Sequence, residues 1–313
     1  MALTKSALAM LAAMIATAAW AEDGPMPEDI AWKLIEIGHV IDAPKTAALY
    51  APLQEKEPYH GVRIERDVKY GAAERNLLDV FMPETASSPR PVLIFVHGGA
   101  FVAGDKRMPD SPFYDNIMLF AARHGMVGVN LEYRLAPKDP WPAAVEDLGT
   151  VVRFVRDNVR SYGGNPDRVF LMGHSAGATH VATYVGHKEF HGPNGSGLAG
   201  AILSSGTYDQ STAEPSPDRI AYYGADRSLY GARSALPRLT KSDIPFMISS
   251  AELDPPAIAA QFDLLKEAMC RSEQGCVRSI VLSKHSHMSE SYSINTADTQ
   301  LSDQILEFMR TGR

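Results

Sequence analysis

Residues 173–177, which read Gly-His-Ser-Ala-Gly, have the types and spacing of a nucleophilic site. The apolar stretch 169–172 precedes them and a helical stretch follows. A G-x-S-x-G motif between a strand and a helix is typical of a nucleophile elbow, a tight turn that exposes the serine hydroxyl. Its glycines leave room for the turn, and the start of the helix offers N–H donors. The pattern therefore predicts that Ser175 is a nucleophile rather than only a helix cap.

A second motif lies upstream, where the apolar residues 92–96 lead into His-Gly-Gly-Ala-Phe at 97–101. An HGGG-type loop of this kind supplies backbone N–H groups to a developing oxyanion. Because glycine has no Cβ, the N–H groups of Gly98 and Gly99 are predicted to face the substrate oxygen, together with that of Ala176. Each well-aimed donor of this type stabilises a transition state by about 3–4 kcal/mol.

A serine hydroxyl is a weak nucleophile at neutral pH, so it needs a base and an acid that orients the base. The expected chain order is Ser, acid, His. Glu252 and Asp254 are the acid candidates; Asp254 is preferred because it stands farther into its loop, whereas Glu252 suits a capping or ion-pair role. His285 and His287 are the base candidates, and spacing alone leaves both open. A metal site at this His-x-His pair is disfavoured, since no neighbouring carboxylate or third histidine completes it in the local sequence.

The elements that would position these residues alternate between strands and helices. Residues 62–68 and 77–81 predict an antiparallel edge hairpin. Uniformly apolar strands are predicted at 92–96, 127–131, 169–172, 201–204, 246–250 and 277–282, with helices at 112–124, 142–162, 176–187, 256–270 and 298–310. Such strands are buried on both faces, so the predicted class is α/β, a mainly parallel eight-stranded sheet flanked by helices. Functional loops then collect at the carboxyl ends of the strands, and the irregular stretch 205–239 is expected to form a small lid.

The first 21 residues are typical of a segment that directs export. Lys5 precedes an apolar stretch, and Ala-Trp-Ala ends the segment ahead of acidic residues, which favours a cleaved signal peptide over a membrane helix. The predicted organisation is a signal peptide at 1–21, an N-terminal helical segment at 22–60 packing on the core, and a catalytic domain at 61–313. Within the N-terminal segment a helix is predicted over 27–41. The protein is thus expected to be periplasmic or secreted.

Cys270 and Cys276 are the two cysteines of the sequence. In an exported chain, an even count separated by a short polar segment predicts a local disulfide. A zinc site is disfavoured because neither cysteine adjoins a second cysteine pair or a histidine pair. A disulfide that closes so short a loop adds about 2–3 kcal/mol to the free energy of unfolding, because it constrains the unfolded chain.

Composition limits the classes of partner. The chain has 313 residues, 45% apolar and 21% charged, with a formal net charge of −7. These values predict one large globular core and disfavour a nucleic-acid partner. Beyond the N-terminal segment, no stretch is long and apolar enough to cross a bilayer, so stable membrane insertion is not expected.

Several motifs between about Asn76 and Arg310 resemble those of α/β-hydrolase carboxylesterases, in particular bacterial feruloyl-esterase-like and kynurenine-formamidase-like esterases. They occupy residues 97–101, 133–137, 141–147, 163–168, 173–177, 252–255 and 285–288. The resemblance implies the α/β-hydrolase fold with a small cap or none. It also implies that the acid is the Asp of Glu-x-Asp-Pro, which is Asp254, and that the base is the histidine before an apolar residue, which is His287.

The residues and the resemblance together predict a serine carboxylesterase that hydrolyses small or medium esters through an acyl-enzyme on Ser175. No metal or organic cofactor is expected, and the expected partner is a small-molecule ester. The alternatives are an amidase or arylformamidase with the same triad, and a non-catalytic hydrolase-fold binding protein. The candidates for the substrate pocket are Phe101, Tyr208, Tyr222 and Tyr223, although lid aromatics often serve packing. The oligomeric state stays open.

Overall fold

The structure is a computed structural model that describes residues 26–85, 89–108 and 110–312. The predicted signal peptide at 1–21 lies outside the described residues. Within those residues, no helix combines the length and the apolar character that a membrane span requires.

The centre of the molecule is an eight-stranded sheet with the order β1-β2-β4-β3-β5-β6-β7-β8. Its strands are β1 Val62–Lys69, β2 Leu77–Pro83, β3 Arg90–Val96, β4 Val127–Leu131, β5 Gly164–His174, β6 Gly200–Ser204, β7 Phe246–Leu253 and β8 Arg278–Ser286. β2 pairs antiparallel with β1 and β4, and every other neighbouring pair is parallel. The predicted edge hairpin and the mainly parallel sheet are therefore confirmed.

The apolar strands are buried on both faces because successive side chains point to opposite sides of a sheet. In β3, Val92, Ile94 and Val96 join one apolar cluster, whereas Leu93 and Phe95 join the other. Both faces of the sheet must consequently be covered by helices.

The described residues form eleven α-helices. They are α1 Glu28–Ile37, α2 Ala43–Tyr50, α3 Asp115–Arg123, α4 Ala143–Asn158, α5 Ala176–Gly186, α6 Pro217–Tyr223, α7 Tyr230–Arg233, α8 Leu236–Leu239, α9 Pro256–Arg271, α10 Ser289–Tyr292 and α11 Ser302–Thr311. Apolar residues of α4, α5 and α9 cover one face of the sheet, and those of α1, α3 and α11 cover the other. The result is a three-layer arrangement.

The predicted helix over 27–41 is wrong in extent, because the N-terminal segment forms two helices. α1 ends at Ile37, where Gly38 takes a φ of 75°, and Asp42 then begins α2 by accepting a hydrogen bond from the Lys45 N–H. The segment packs on the core: the Gln54 amide donates to the carbonyls of Tyr292 and Ile294.

The stretch 205–239 is less irregular than expected, since it contains the short helices α6, α7 and α8. Trp141 N–H donates to the Tyr222 carbonyl, which ties the stretch to the main body, and Leu236 N–H donates to the Tyr208 carbonyl, which joins two parts of the stretch itself. The cap between β6 and β7 is therefore small.

The two cysteines lie at the end of α9 and in the turn before β8. Their sulfur atoms are 2.13 Å apart, and the structure joins Cys270 to Cys276 as a disulfide.

Candidate active site

Ser175 occupies the turn between β5 and α5. Its φ of 58° and ψ of −123° lie in a region that residues with a Cβ rarely adopt. The Ser175 N–H donates to the Ser204 carbonyl, which ties the turn to the next strand. Ser175 is partly exposed, whereas the residues on both sides of it are buried. The turn thus presents the hydroxyl outward from a rigid core.

The turn packs directly against the end of β3. A Cβ on Gly177 would lie 2.1 Å from the Val96 carbonyl oxygen, so no larger residue fits without moving the backbone. This close approach sets the start of α5 beside the loop at 97–101.

His287 and Asp254 meet at the carboxyl edge of the sheet. His287 Nδ1 lies 2.7 Å from Asp254 Oδ1, and both side chains are almost fully buried. With Nδ1 donating to the carboxylate, Nε2 keeps its lone pair, and Nε2 has no hydrogen-bond partner among the described residues. This is the arrangement of a neutral imidazole that is oriented by an acid and able to take a proton.

Asp254 is built to remain ionised. Its Oδ2 accepts hydrogen bonds from the Ser205 hydroxyl at 2.6 Å, the Ser250 hydroxyl at 2.7 Å and the Ala251 N–H at 2.9 Å. Burial raises the pKa of Asp254, but the hydrogen bond and charge of His287, with the two serine hydroxyls, outweigh it and hold that pKa below its usual value.

The alternative acid, Glu252, and the alternative base, His285, do not join the His287–Asp254 pair. Glu252 is exposed on β7 and accepts from the Ser283 hydroxyl and the Lys284 N–H. His285 is fully buried at the end of β8, where its Nε2 lies 3.0 Å from Asp298 Oδ2. The two acid candidates thus differ in burial, and the two histidines differ in their carboxylate partners.

The loop at 97–101 touches the elbow. A Cβ on Gly98 would lie 3.0 Å from Ser175 Cβ and 3.6 Å from its Oγ. Gly99, Ala100 and Phe101 follow with φ values of 126°, 51° and 74°. Among the described residues, no hydrogen bond uses the Gly98 or Gly99 N–H as donor, and Ala176 is the first residue of α5, where N–H groups lack intrahelical acceptors. The three predicted oxyanion donors are therefore free to bind a ligand oxygen.

Neighbouring side chains hold this loop in shape. His97 Nδ1 donates to the Gly98 carbonyl at 2.6 Å, so the planar peptide turns the Gly99 N–H to the opposite side. The Tyr133 hydroxyl donates to the His97 carbonyl at 2.8 Å, and its ring stacks on the imidazole. Glu132 Oε2 lies 3.4 Å from His97 Nε2. Tyr133 thus acts on the loop through the backbone and the ring of His97.

His174, the second residue of the elbow motif, lies beneath the base. Its Nε2 donates to the His287 carbonyl at 2.8 Å, and the two rings are 4.6 Å apart. Burial and the neighbouring His287 lower the pKa of His174 to about 3. It therefore supports the His287 loop as a neutral side chain.

The predicted pocket aromatics are packed together. The Phe101 ring stacks on Tyr222 at 5.1 Å and meets the edge of Tyr223 at 5.5 Å, and all three residues are buried. The Tyr208 hydroxyl donates to the Leu203 carbonyl and accepts from the Gly206 N–H. Their assignment to the substrate pocket stays a prediction.

The sequence reasoning missed Ser205 and Glu290. Ser205 follows β6 with a φ of 51°, and Glu290 is a fully buried residue of α10. Ser205 stands at the carboxyl end of a strand and Glu290 three residues after His287, yet no local pattern marks either as buried beside Asp254.

No group of three or more His, Cys, Asp or Glu side chains suited to a metal ion occurs among the residues that the structure describes.

Residues 78–197 match the BD-FAE family model. The chain is 29% identical over 214 residues to esterase LipQ of Mycobacterium tuberculosis, covering 62% of this chain and 50% of that protein. It is 34% identical over 121 residues to the probable isoprenylcysteine alpha-carbonyl methylesterase ICMEL2 of Arabidopsis thaliana, covering 39% of this chain and 27% of the relative. The chain thus spans between about a quarter and a half of the length of these two relatives.

Solved structures share the fold. Esterase B from Lactobacillus rhamnosis superposes with a TM-score of 0.69 at 18% identity, covering 90% of this chain and 95% of that one. A bacterial heroin esterase superposes with a TM-score of 0.64 at 22% identity, covering 92% and 98%. With the sheet order above, these likenesses confirm the α/β-hydrolase fold.

Proposed function

We propose that this chain with the α/β-hydrolase fold is a serine carboxylesterase that acts through Ser175, Asp254 and His287. The observation that carries the proposal is the pair His287–Asp254, joined at 2.7 Å, at the same sheet edge as the strained turn of Ser175; within the described part of the chain, His287 Nε2 has no hydrogen-bond partner. The esterase names of the similar proteins support ester hydrolysis as the reaction class.

In the proposed reaction the Ser175 hydroxyl attacks the ester carbonyl carbon while His287 Nε2 takes its proton. The N–H groups of Gly98, Gly99 and Ala176 bind the oxyanion. Collapse of the intermediate expels the alcohol, which takes the proton from His287 and leaves an acyl group on Ser175. Water, activated by His287 in the same way, then releases the acid and restores the serine.

We propose small or medium esters as the substrates. Phe101 is the last residue of the loop at 97–101 and is packed against Tyr222 and Tyr223, so side chains of the small cap fill the space beside that loop. Rates across p-nitrophenyl esters of increasing acyl length test this proposal: activity that rises through the longest chains would contradict it.

The catalytic assignment is tested with p-nitrophenyl acetate. Ser175→Ala should lower kcat by about 10³-fold or more, as expected for the loss of a triad member. Ser161→Ala is the matched control, since Ser161 is an exposed serine whose hydroxyl donates to the Asn158 carbonyl. A p-nitroanilide of the same acid, measured in parallel, separates an esterase from an amidase. Equal rates for Ser175→Ala and the control would refute the assignment.

Export is part of the proposal. The pattern of residues 1–21 supports it, as does the Cys270–Cys276 disulfide, because such bonds persist mainly in oxidising compartments. Fractionation of the producing cells tests it: the protein found outside the cytoplasm should begin at about Glu22.

A further inference from the structure

The Ser205 hydroxyl lies between two buried carboxyl groups. Its Oγ is 2.6 Å from Asp254 Oδ2 and 2.5 Å from Glu290 Oε2. A hydroxyl has one proton, so Ser205 donates to only one of these oxygens. The other oxygen approaches as a hydrogen-bond partner only if it carries a proton of its own. One of the two carboxyl groups must therefore be a neutral acid.

The surrounding hydrogen bonds identify which carboxyl group holds the proton. Asp254 accepts from Ser250 and from the Ala251 N–H on the same oxygen, and faces His287 Nδ1 with the other. These donors suit a carboxylate. In the described part of the chain, the one ion-pair partner within reach of Glu290 is His174, whose Nε2 is 3.9 Å away and already donates to the His287 carbonyl.

We propose that Glu290 is a neutral carboxylic acid that donates its proton to Ser205. Ser205 in turn donates to Asp254, which accepts from His287. Glu290 is thus a positioning residue that acts on the base through two intermediate groups. Its role in catalysis rests on the function proposed above, whereas the location of its proton does not.

The titratable groups around Glu290 favour the neutral form. They are Asp254 at the end of β7, His174 at the end of β5, Tyr208 after β6, and His287, which lies three residues before Glu290 in the chain. Burial and the negative charge of Asp254 raise the pKa of Glu290 to about 8, and they outweigh the opposing hydrogen bonds of the Ser205 and Ser249 hydroxyls. Since burial and the neighbouring His287 keep His174 uncharged at neutral pH, it offers Glu290 no compensating positive charge.

The neutral acid has a specific consequence for the triad. It completes the hydrogen bonding of Ser205 without placing a second negative charge beside Asp254. Above a pH of about 8 the proton is lost, and Ser205 then faces two carboxylates that both require its single proton. The hydrogen bond that orients Asp254 is weakened, so catalysis should change with this ionisation.

Infrared spectroscopy of the whole protein tests the location of the proton without any turnover. The difference between wild type and Glu290→Gln at pH 6 should contain the C=O stretching band of a protonated carboxyl group. In wild type this band should disappear with a midpoint near 8. Glu252→Gln is the control, because Glu252 is an exposed carboxylate that accepts two hydrogen bonds, and its difference spectrum should lack the band. Absence of the band from wild type at pH 6 would overturn the proposal.

If Glu290→Gln does not fold, the difference between wild-type spectra at pH 6 and pH 10 provides the same evidence, since ordinary carboxyl groups are already ionised at pH 6. A protonated carboxyl band that titrates near 8 supports the proposal, and none overturns it.

Kinetics test the positioning role. The pH profile of wild-type kcat/KM should show a change near 8 that Glu290→Gln lacks, because glutamine keeps a donor for Ser205 but cannot ionise. Glu290→Leu, which has no donor, should lower kcat about tenfold with little change in KM. Glu290→Gln, which keeps a donor, should retain most of the wild-type kcat. An unchanged profile in Glu290→Gln would overturn the role. If wild type hydrolyses no ester but shows the infrared band, the proposed function fails while the proton assignment stands.

Discussion

Asp254 Oδ1 lies 2.7 Å from His287 Nδ1, and both residues have only 1% of their surface exposed. A carboxylate in this position fixes the imidazole tautomer and stabilises the imidazolium that forms when the base takes a proton. The two residues are 33 positions apart in sequence and come from neighbouring strand ends, so the contact depends on the register of β7 and β8.

Asp254→Asn should lower kcat by about 10³- to 10⁴-fold with little change in KM, since the amide favours the wrong tautomer of His287. Steady-state kinetics with p-nitrophenyl acetate measure this loss. Glu252→Gln is the matched control and should keep wild-type kinetics, because Glu252 lies exposed away from His287. Equal losses in the two variants would contradict the choice of acid.

Gly98→Ala should remain folded but lose activity by tenfold or more, because the new Cβ would stand 3.0 Å from Ser175 Cβ and crowd the site of the oxyanion. Gly231→Ala is the control, because among the residues that the structure describes no atom beyond its chain neighbours and helix backbone lies within 4 Å of a Cβ at that position of α7. Kinetics and thermal unfolding of both variants check the prediction. Full activity in Gly98→Ala would show that this loop does not border the reacting carbonyl.

Tyr133→Phe removes the hydroxyl that donates to the His97 carbonyl. It should cost about 1–2 kcal/mol of unfolding free energy, because a buried acceptor loses its donor, and it should also lower kcat severalfold. Tyr184→Phe removes a similar hydrogen bond, to the Ser196 carbonyl, far from the oxyanion loop in sequence. That control should lose comparable stability and keep its kcat; a shared loss of kcat would mean that Tyr133 acts through general stability alone.

Glu290 makes stability depend on pH. Its pKa is higher in the folded protein than in the unfolded chain, so its contribution is complete below about pH 4.5 and declines as the pH rises through about 8. The unfolding free energy of wild type should therefore fall relative to that of Glu290→Gln between pH 5 and pH 9, by a few kcal/mol. Urea titrations at several pH values measure the difference. Parallel curves for the two proteins would show that Glu290 has an ordinary pKa in the fold.

Most of the fold could be predicted because its evidence is local. Uniformly apolar strands such as β3 require cover on both faces, and the Gly-x-Ser-x-Gly run between a strand and a helix indicates where the chain turns sharply. The sequence predicts one helix over 27–41 because apolar residues continue after Gly38. The chain instead ends α1 before Gly38 and begins α2 after Asp42.

The environment of Asp254 could not be predicted in the same way. Ser205 and Glu290 are 85 positions apart and meet at the carboxylate only after three strand ends have come into register. The burial of His285 beside Asp298 depends likewise on how α10 and the following turn pack. The periodicity of apolar residues in the sequence does not predict that packing.

The role of Ser175 as the nucleophile can be tested by treating the whole protein with a fluorophosphonate and mapping the adduct by peptide mass spectrometry. One equivalent of adduct is expected on the peptide that contains Ser175, and none on that peptide in a folded Ser175→Ala variant. An adduct on a different serine, or no adduct on folded wild-type protein, would contradict it.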